Sequence, residues 1–243
     1  MKLLLQISFF LTFMLALPCL YKGNAQPYYF RHYQVENGLS NNTVNCSIQD
    51  KNGFMWFGTK DGLNRFDGYR FKLFTTGGSE RSLYPDNIYS LFSDEQGKLW
   101  VGSQKGLYWF DPEKEQLVRA IDSITEVWDI QADKTGQLWF ISNRNVCRYN
   151  FRTKQLKQFP GNSFFYATSA CMSFDGTMWF SSGDGFIHKF DTATQTFQAF
   201  NAFSHSPKPS SYLIQKIKPA GKGSIYIGTT SQGLKQFDIA SGT

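Results

Sequence analysis

The sequence predicts an all-β protein built from β-propeller blades. Three observations carry this prediction: an aromatic residue recurs about every 40 residues, a glycine stands three residues before each of them, and short alternating segments are separated by turn residues. Four short antiparallel strands in a period of about 40 residues are typical of one propeller blade. The recurring aromatic residues are Trp56, Trp100, Trp139, Trp179 and Tyr226.

The first repeat shows how one blade is built. An alternating segment at 44–48 is followed by the turn Asp50–Gly53, in which Asp can cap the turn and Gly can adopt a positive φ. Short segments at 54–57, 63–66 and 69–74 then alternate with further turns. Such a sheet is apolar on both faces, so we expect the four tryptophans to be buried between neighbouring blades. A parallel solenoid is the structural alternative, although its units are shorter.

Five repeats cover most of the chain, at approximately 41–76, 86–121, 124–160, 164–201 and 210–243. The fifth ends where its outer strand should begin, whereas the lead-in of residues 26–40 contains a strand-like segment, Tyr28–Tyr33, without a partner in the first repeat. We expect an open arc with exposed edge strands. In the alternative, Tyr28–Tyr33 pairs with residues 234–237 and closes a small ring.

The N-terminus predicts an exported protein. Lys2 precedes an uncharged apolar stretch at 3–17, and a more polar segment ends at Ala25. This pattern is typical of a secretory signal peptide at 1–25, cleaved after Ala25. An uncleaved anchor and a lipid-bearing Cys19 are the alternatives.

The composition excludes several classes of protein. The chain is 41% hydrophobic and contains 24 Phe, 12 Tyr and 6 Trp, which excludes a disordered chain. A formal net charge of +6, with acids interspersed among the bases, is too mild for a nucleic-acid-binding surface. Four cysteines in 243 residues exclude a disulfide scaffold. We interpret Cys46, Cys147 and Cys171 as small hydrophobic residues buried in strands.

The sequence predicts no catalytic residue, no metal site and no cofactor. Its three histidines stand at none of the usual metal-ligand spacings. The Asp-x-x-Gly turns supply one carboxylate each, whereas calcium needs six to eight oxygen ligands. A glycosidase would need two acids that converge in a cleft, and this is the enzymatic alternative.

We expect binding to occur on one face of the propeller, where the loops leading into each first strand meet the loops between second and third strands. Aromatic faces combined with amide and guanidinium donors suit sugar rings and acidic glycans. The candidate ligand-binding residues are Asn42, Arg81, Tyr84, Asn87, Arg144 and Tyr166.

The repeats resemble the two-component regulator propeller repeats of exported sensors in Bacteroidetes-type bacteria. The segments at 36–44, 49–59 and 62–69 are especially similar to the first repeat of that family, while the third and fourth repeats match it less well and the fifth is degenerate. The resemblance implies two seven-bladed propellers, a β-sandwich, a transmembrane helix, a histidine kinase, a receiver and a DNA-binding module. This chain would correspond to the first five blades.

The function implied by this resemblance is periplasmic sensing of glycan-derived ligands by a sensor histidine kinase that controls transcription. The expected partners are an oligosaccharide, the remaining blades and C-terminal domains of the sensor, and a second copy in a homodimer. This segment itself would not be an enzyme. The alternatives are a free-standing exported propeller that acts as an interaction scaffold and a propeller glycosidase or lyase.

Overall fold

A computed structural model describes residues 29–75, 86–159, 166–204 and 209–242. Within these ranges the chain forms β-strands, turns and a single 3₁₀ turn at Val35–Asn37, with no α-helix. The chain divides into two compact units, residues 1–32 and 33–243. The described residues of the first unit, 29–32, contain no strand. The second unit carries every strand described below.

The strands form five antiparallel sheets, each made of strands that follow one another along the chain. Blade one contains β1 (Val44–Gln49), β2 (Met55–Thr59), β3 (Gly62–Phe66) and β4 (Phe71–Phe74). Blade two contains β5 (Ile88–Ser93), β6 (Leu99–Ser103), β7 (Gly106–Asp111) and β8 (Gln116–Arg119). Blade three contains β9 (Val127–Ala132), β10 (Leu138–Ser142), β11 (Asn145–Asn150) and β12 (Gln155–Phe159). Blade four contains β13 (Ala167–Met172), β14 (Met178–Ser182), β15 (Phe186–Asp191) and β16 (Thr196–Asn201). Blade five contains β17 (Ile214–Pro219), β18 (Ser224–Thr229) and β19 (Gly233–Asp238).

The five sheets are arranged as propeller blades, which confirms the predicted fold class. The first strand of each blade packs against the first strand of the next, from β1 through β5, β9 and β13 to β17. The second strand of each blade also packs against the first strand of its successor. β1 and β17, both fully described, do not pack against each other in this way. One face of blade one and one face of blade five therefore lie at the ends of the series.

The cores between blades are built around the recurring tryptophans. Each of the four is at most 2% exposed and packs on the following blade. The ring centroids of Trp56 and Phe110 are 4.7 Å apart, as are those of Trp139 and Phe190. Edge-to-face contacts of this kind add to the free energy gained by burying the aromatic area. Trp179 and Phe237 make the same kind of contact, so one aromatic contact recurs at three of the four junctions between blades.

Tyr226 keeps the position of the tryptophans in its sheet but not their burial. It pairs with Lys218 on β17 just as Trp179 pairs with Cys171 on β13. Its side chain is nevertheless 43% exposed, and Leu234 on the neighbouring strand is 70% exposed. The physical reason is that each tryptophan is covered by the blade that follows it, and among the described residues no blade follows blade five.

The prediction of a strand at Tyr28–Tyr33 is wrong for residues 29–33, which the structure describes and which form no strand. The ring of Tyr33 instead packs edge-on against Phe66 and Phe71 of blade one, with centroids 4.9 and 5.6 Å away. Phe66 corresponds in the repeat to Phe110, so Tyr33 lies where the tryptophan of a preceding blade would pack. Tyr28 and the predicted signal peptide at 1–25 lie outside the described residues.

Candidate ligand-binding site

Backbone hydrogen bonds bring the two expected sets of loops onto one face, which we call the loop face. In blade one the amide of Lys60, in the turn after β2, donates to the carbonyl of Thr43 at 3.2 Å. In blade four the amide of Gly183 donates to the carbonyl of Tyr166 at 3.0 Å. The amide of Ala167 donates to the carbonyl of Arg144 at 3.0 Å and so joins blade four to blade three.

A cavity of about 800 Å³ opens on this face. Its lining comes from the lead-in segments of blades three, four and five and from the first strands and second turns of blades three and four. The residues that line it are Glu126, Trp128, Asn143, Arg144, Tyr166, Ala167, Thr168, Gly183, Asp184 and Leu213. We refer to this cavity as the loop-face pocket. Its volume lies in the range of roughly 300–1,000 Å³ that is usual for small-molecule sites.

The turn that carries Arg144 differs from its counterparts in the other blades. Gly62 and Gly106 give the second turns of blades one and two their positive φ, whereas Asn143 and Arg144 adopt φ values of 49° and 66° in blade three. A left-handed conformation in a non-glycine residue costs on the order of 1–3 kcal/mol and is common at binding sites. The guanidinium carbon of Arg144 lies 5.1 Å from the centre of the Tyr166 ring, a cation–π contact that orients it at the pocket.

Each first strand also contains a β-bulge, and the bulged residue has no partner in the ladder. Bulges re-aim a side chain relative to the regular alternation of a strand and are frequent beside binding sites. In blades three and four the bulged residues line the loop-face pocket. The five bulged residues are Asn45, Tyr89, Trp128, Thr168 and Gln215.

Trp128 is the largest side chain that a bulge presents. It is 44% exposed, although a tryptophan is usually highly buried. One face of its indole stacks on Tyr89, with centroids 4.1 Å apart and an interplanar angle of 12°. Partial burial and the carboxylate of Glu126 raise the pKa of Tyr89, and a hydrogen bond with Asn87 opposes this shift. Blades two and three therefore share one aromatic platform beside the pocket.

The structure brings together two of the six candidate residues, Arg144 and Tyr166. Asn87 lies one blade away, where its Oδ1 accepts a hydrogen bond from Nδ2 of Asn45 at 2.8 Å. Asn42 does not line the pocket; its Oδ1 accepts from the amide of Val35 at 3.0 Å and so holds the 3₁₀ turn against blade one. Arg81 and Tyr84 lie outside the described residues.

Sequence reasoning missed several side chains of this site, among them Tyr89, Glu126, Trp128 and Asp184. The available signal was that Trp128 is a tryptophan outside the recurring position, at the start of a predicted strand. Nothing in the sequence marks the bulge that exposes it. The two acids became candidates only when the fold placed them at the same rim as Arg144.

A salt bridge between a buried carboxylate and a half-exposed ammonium joins the blades that carry the pocket. Oδ2 of Asp129, the residue after Trp128, accepts hydrogen bonds from Nζ of Lys216 and the hydroxyl of Ser169, both at 2.7 Å. These contacts connect blades three, four and five. They fix the residue next to each bulge in these three blades. Side-chain contacts therefore connect the three blades that line the pocket.

A Ser–His–Asp cluster lies beside the pocket, but its contacts are structural. The Ser182 hydroxyl donates to Oδ1 of Asp184 and lies 3.0 Å from Nε2 of His188. In a catalytic triad the carboxylate instead orients the imidazole. Ser182 and His188 are both buried, and burial lowers the pKa of His188 to about 4. In the described ranges, no group of three His, Cys, Asp or Glu side chains is placed to hold a metal ion.

Two segments of the chain, residues 38–61 and 85–105, match the family described as two component regulator propeller. These segments are thus similar to two-component regulator propeller repeats. They contain the first two strands of blade one and the first two strands of blade two. A stretch of 53 residues is also 42% identical to histidine kinase P4 of Formosa agariphila. That match covers 22% of this chain and 4% of the kinase.

Solved structures show the same fold at low sequence identity. The extracellular domain of a one-component system from B. thetaiotaomicron aligns with a TM-score of 0.65 and 16% identity, over 87% of this chain and 28% of that one. The extracellular domain of a hybrid two-component system from the same organism aligns with a TM-score of 0.54 and 20% identity, over 88% and 36%. A virginiamycin B lyase from Staphylococcus aureus aligns with a TM-score of 0.62 and 14% identity, over 89% and 75%.

This chain thus spans about a third or less of each of the two extracellular domains that it resembles. At these identities the likeness shows the fold, a β-propeller. Among the described residues, none forms a helix of the length and apolarity needed to cross a membrane.

Proposed function

We propose that this chain is the ligand-sensing propeller region of an exported two-component sensor and that its loop-face pocket binds a glycan-derived ligand. The observation that carries the proposal is the pocket itself, in which Arg144 is held over Tyr166 beside the exposed indole of Trp128. The similarity of the repeats to regulator propeller repeats supports the role of a sensor, and the pocket supports the binding of a ligand.

The chemistry of the pocket suits a saccharide. Aromatic faces pack against the C–H face of a sugar ring, while a guanidinium and amides bind hydroxyl or carboxylate oxygens. Arg144 and Asn143 are donors of these kinds, and Glu126 and Asp184 can accept hydrogen bonds from hydroxyl groups. A ligand held in this way is oriented on several sides without any covalent step.

The proposed location is the periplasm, in agreement with the signal peptide predicted at 1–25. In that setting the further partners are the rest of the sensor, including its kinase, and a second copy of the sensor in a homodimer. Ligand binding at the propeller would then be signalled across the membrane and lead to a transcriptional response. The extracellular domains to which the fold is similar support this arrangement.

The proposal is tested by calorimetric titration of the whole protein with glucose, xylose and galacturonic acid and their oligomers of two to six units. We expect at least one series to bind, and Arg144→Ala with Tyr166→Ala to weaken that binding by about tenfold or more, as for the loss of about 1.4 kcal/mol. Arg152→Ala is the matched control, because Arg152 is an exposed arginine in the turn between β11 and β12, on the opposite face.

Three results would overturn the proposal. If the double variant binds as tightly as the wild type, Arg144 and Tyr166 are not the site. If the protein shortens any of these oligomers, it is an enzyme, and the lyase or glycosidase alternative replaces the sensor. A protein that binds none of the saccharides in the panel would leave the interaction scaffold as the better function.

A further inference from the structure

Side-chain contacts connect the bulged residues of blades one to three, and the repeat pattern does not reveal these contacts. Because these residues are not paired in the ladder, their side chains are not committed to a sheet face. In blade one Asn45 donates from Nδ2 to Asn87 and to the carbonyl of Ile88, both at 2.8 Å. Asn87 in turn contacts the hydroxyl of Tyr89, which stacks on Trp128. Side chains of three consecutive blades are thus in continuous contact up to the pocket.

Trp128 is held in one orientation. Tyr89 covers one face of the indole at 4.1 Å in near-parallel stacking. Both residues are bulged, so the regular register of β5 and β9 would not have brought these two rings together. A rigid aromatic ring whose second face meets a cavity binds a flat apolar surface with little loss of conformational entropy.

The pocket offers two places for such a surface. The ring of Tyr166 is covered by the Arg144 guanidinium at one part of the rim, whereas Trp128 lies at another and is supported by Tyr89. All three of these pocket residues border a single cavity of about 800 Å³. That volume exceeds the volume of one sugar ring. The ring of Tyr166 is contacted by Arg144, whereas the ring of Trp128 is contacted by Tyr89.

We propose that the Tyr89–Trp128 platform is a second saccharide subsite, which binds the C–H face of a further sugar ring joined to the ring held at Arg144 and Tyr166. This inference rests on the proposed function and specifies it: the ligand is a chain of at least two sugar rings lying across blades three and four. Trp128 determines the preference for chain length, and Tyr89 is a positioning residue that holds the indole.

The experiment compares one sugar with its own tetramer, using galacturonic acid with tetragalacturonate and glucose with cellotetraose. Binding to the whole protein is measured by calorimetry and, for the monomers, by saturation-transfer NMR. We expect Trp128→Ala to weaken tetramer binding about tenfold and monomer binding less than about twofold, because only the tetramer reaches the platform. Trp128→Phe should retain most of the affinity, and Tyr89→Leu should fall between the two.

Phe174→Ala serves as the matched control, because Phe174 is an aromatic residue with 61% exposure in the turn between β13 and β14, on the opposite face. Thermal unfolding of each variant establishes that it is folded. If Trp128→Ala weakens the binding of monomer and tetramer equally, Trp128 belongs to the first subsite, and the inference is overturned. An unchanged tetramer affinity would overturn it as well. Failure of the wild type to bind any monomer or tetramer would instead reject the proposed function, and this inference with it.

Discussion

The indole Nε1–H of Trp139 donates a hydrogen bond of 2.8 Å to Oδ2 of Asp133. The same carboxylate accepts from the backbone amides of Thr135 and Gln137 through Oδ1. One side chain therefore shapes the turn between β9 and β10 and satisfies the polar atom of the buried indole. Blades one and two repeat the contact with Asp50 and Asp94, which explains why the repeat carries an aspartate six residues before each of these tryptophans.

Replacing Asp133 by alanine leaves the indole N–H and two turn amides without their acceptor. We expect the free energy of unfolding to fall by about 1–3 kcal/mol, the usual range for a polar group left unsatisfied in the interior. Urea denaturation measures the change. Asp133→Ser is the control, because Ser173 accepts from Trp179 at 3.2 Å in blade four and shows that a serine can serve here. Equal losses in the two variants would contradict this account of the aspartate.

Trp139→Ala and Tyr226→Ala should differ sharply although both residues hold the same place in the repeat. Trp139 is 1% exposed and packs on Phe180 and Phe190 of blade four. Its truncation should lower stability by about 3–5 kcal/mol. Tyr226→Ala should lower it by less than about 1.5 kcal/mol, since much of the ring already contacts water. Similar losses in denaturant unfolding would mean that a partner covers blade five in solution.

His188 makes stability depend on pH. Burial lowers its pKa from the usual 6.5 to about 4, so the unfolded chain binds more protons than the folded one between these pH values. Stability should therefore fall as the pH drops through this window, by on the order of 2 kcal/mol at pH 5. The measurement is urea denaturation at several pH values between 4 and 7.5, with His188→Gln as the comparison. An identical pH profile in the variant would assign the effect to other groups.

The cysteines within the described residues should be inert in the folded protein. Burial raises the pKa of Cys46, Cys147 and Cys171 to about 12, so almost no reactive thiolate forms near neutral pH. Cys147 and Cys171 are each 1% exposed, which also blocks access by a reagent. An aromatic disulfide reagent at pH 8 should label them only after denaturation. Rapid labelling of the native protein at either position, located by peptide mass spectrometry, would contradict this expectation.

The sequence was sufficient to predict the blades, because the features that define them are local. Trp56 and Asp50 lie within one turn and one strand, so their spacing repeats wherever the unit repeats. Whether an aromatic is buried depends instead on the neighbouring blade, and Tyr226 shows that the same position can be open. Tyr33 shows the converse. The sequence predicts that it lies in a strand, whereas its ring packs against Phe66 of blade one.

The site was predictable only in part, and Trp128 shows why. Arg144 and Tyr166 were found because turns and lead-in segments have recognisable places in the repeat. Trp128 follows Val127 in what the alternation describes as an ordinary strand, and only the displaced register between β9 and β10 frees it from the ladder. A bulge depends on the backbone geometry of a strand pair. The alternating pattern of side chains does not indicate that geometry.

The bulged positions carry different side chains and take no part in the ladder pairing of their blades. Asn45, Tyr89, Trp128, Thr168 and Gln215 are five different side chains on five sheets of the same construction. None is held by ladder pairing, so a substitution at any of them leaves the blade's pairing register intact. A propeller of this kind can thus acquire a new specificity through few mutations at low risk of misfolding, which makes the bulges natural starting points for engineering a sensor with a chosen ligand.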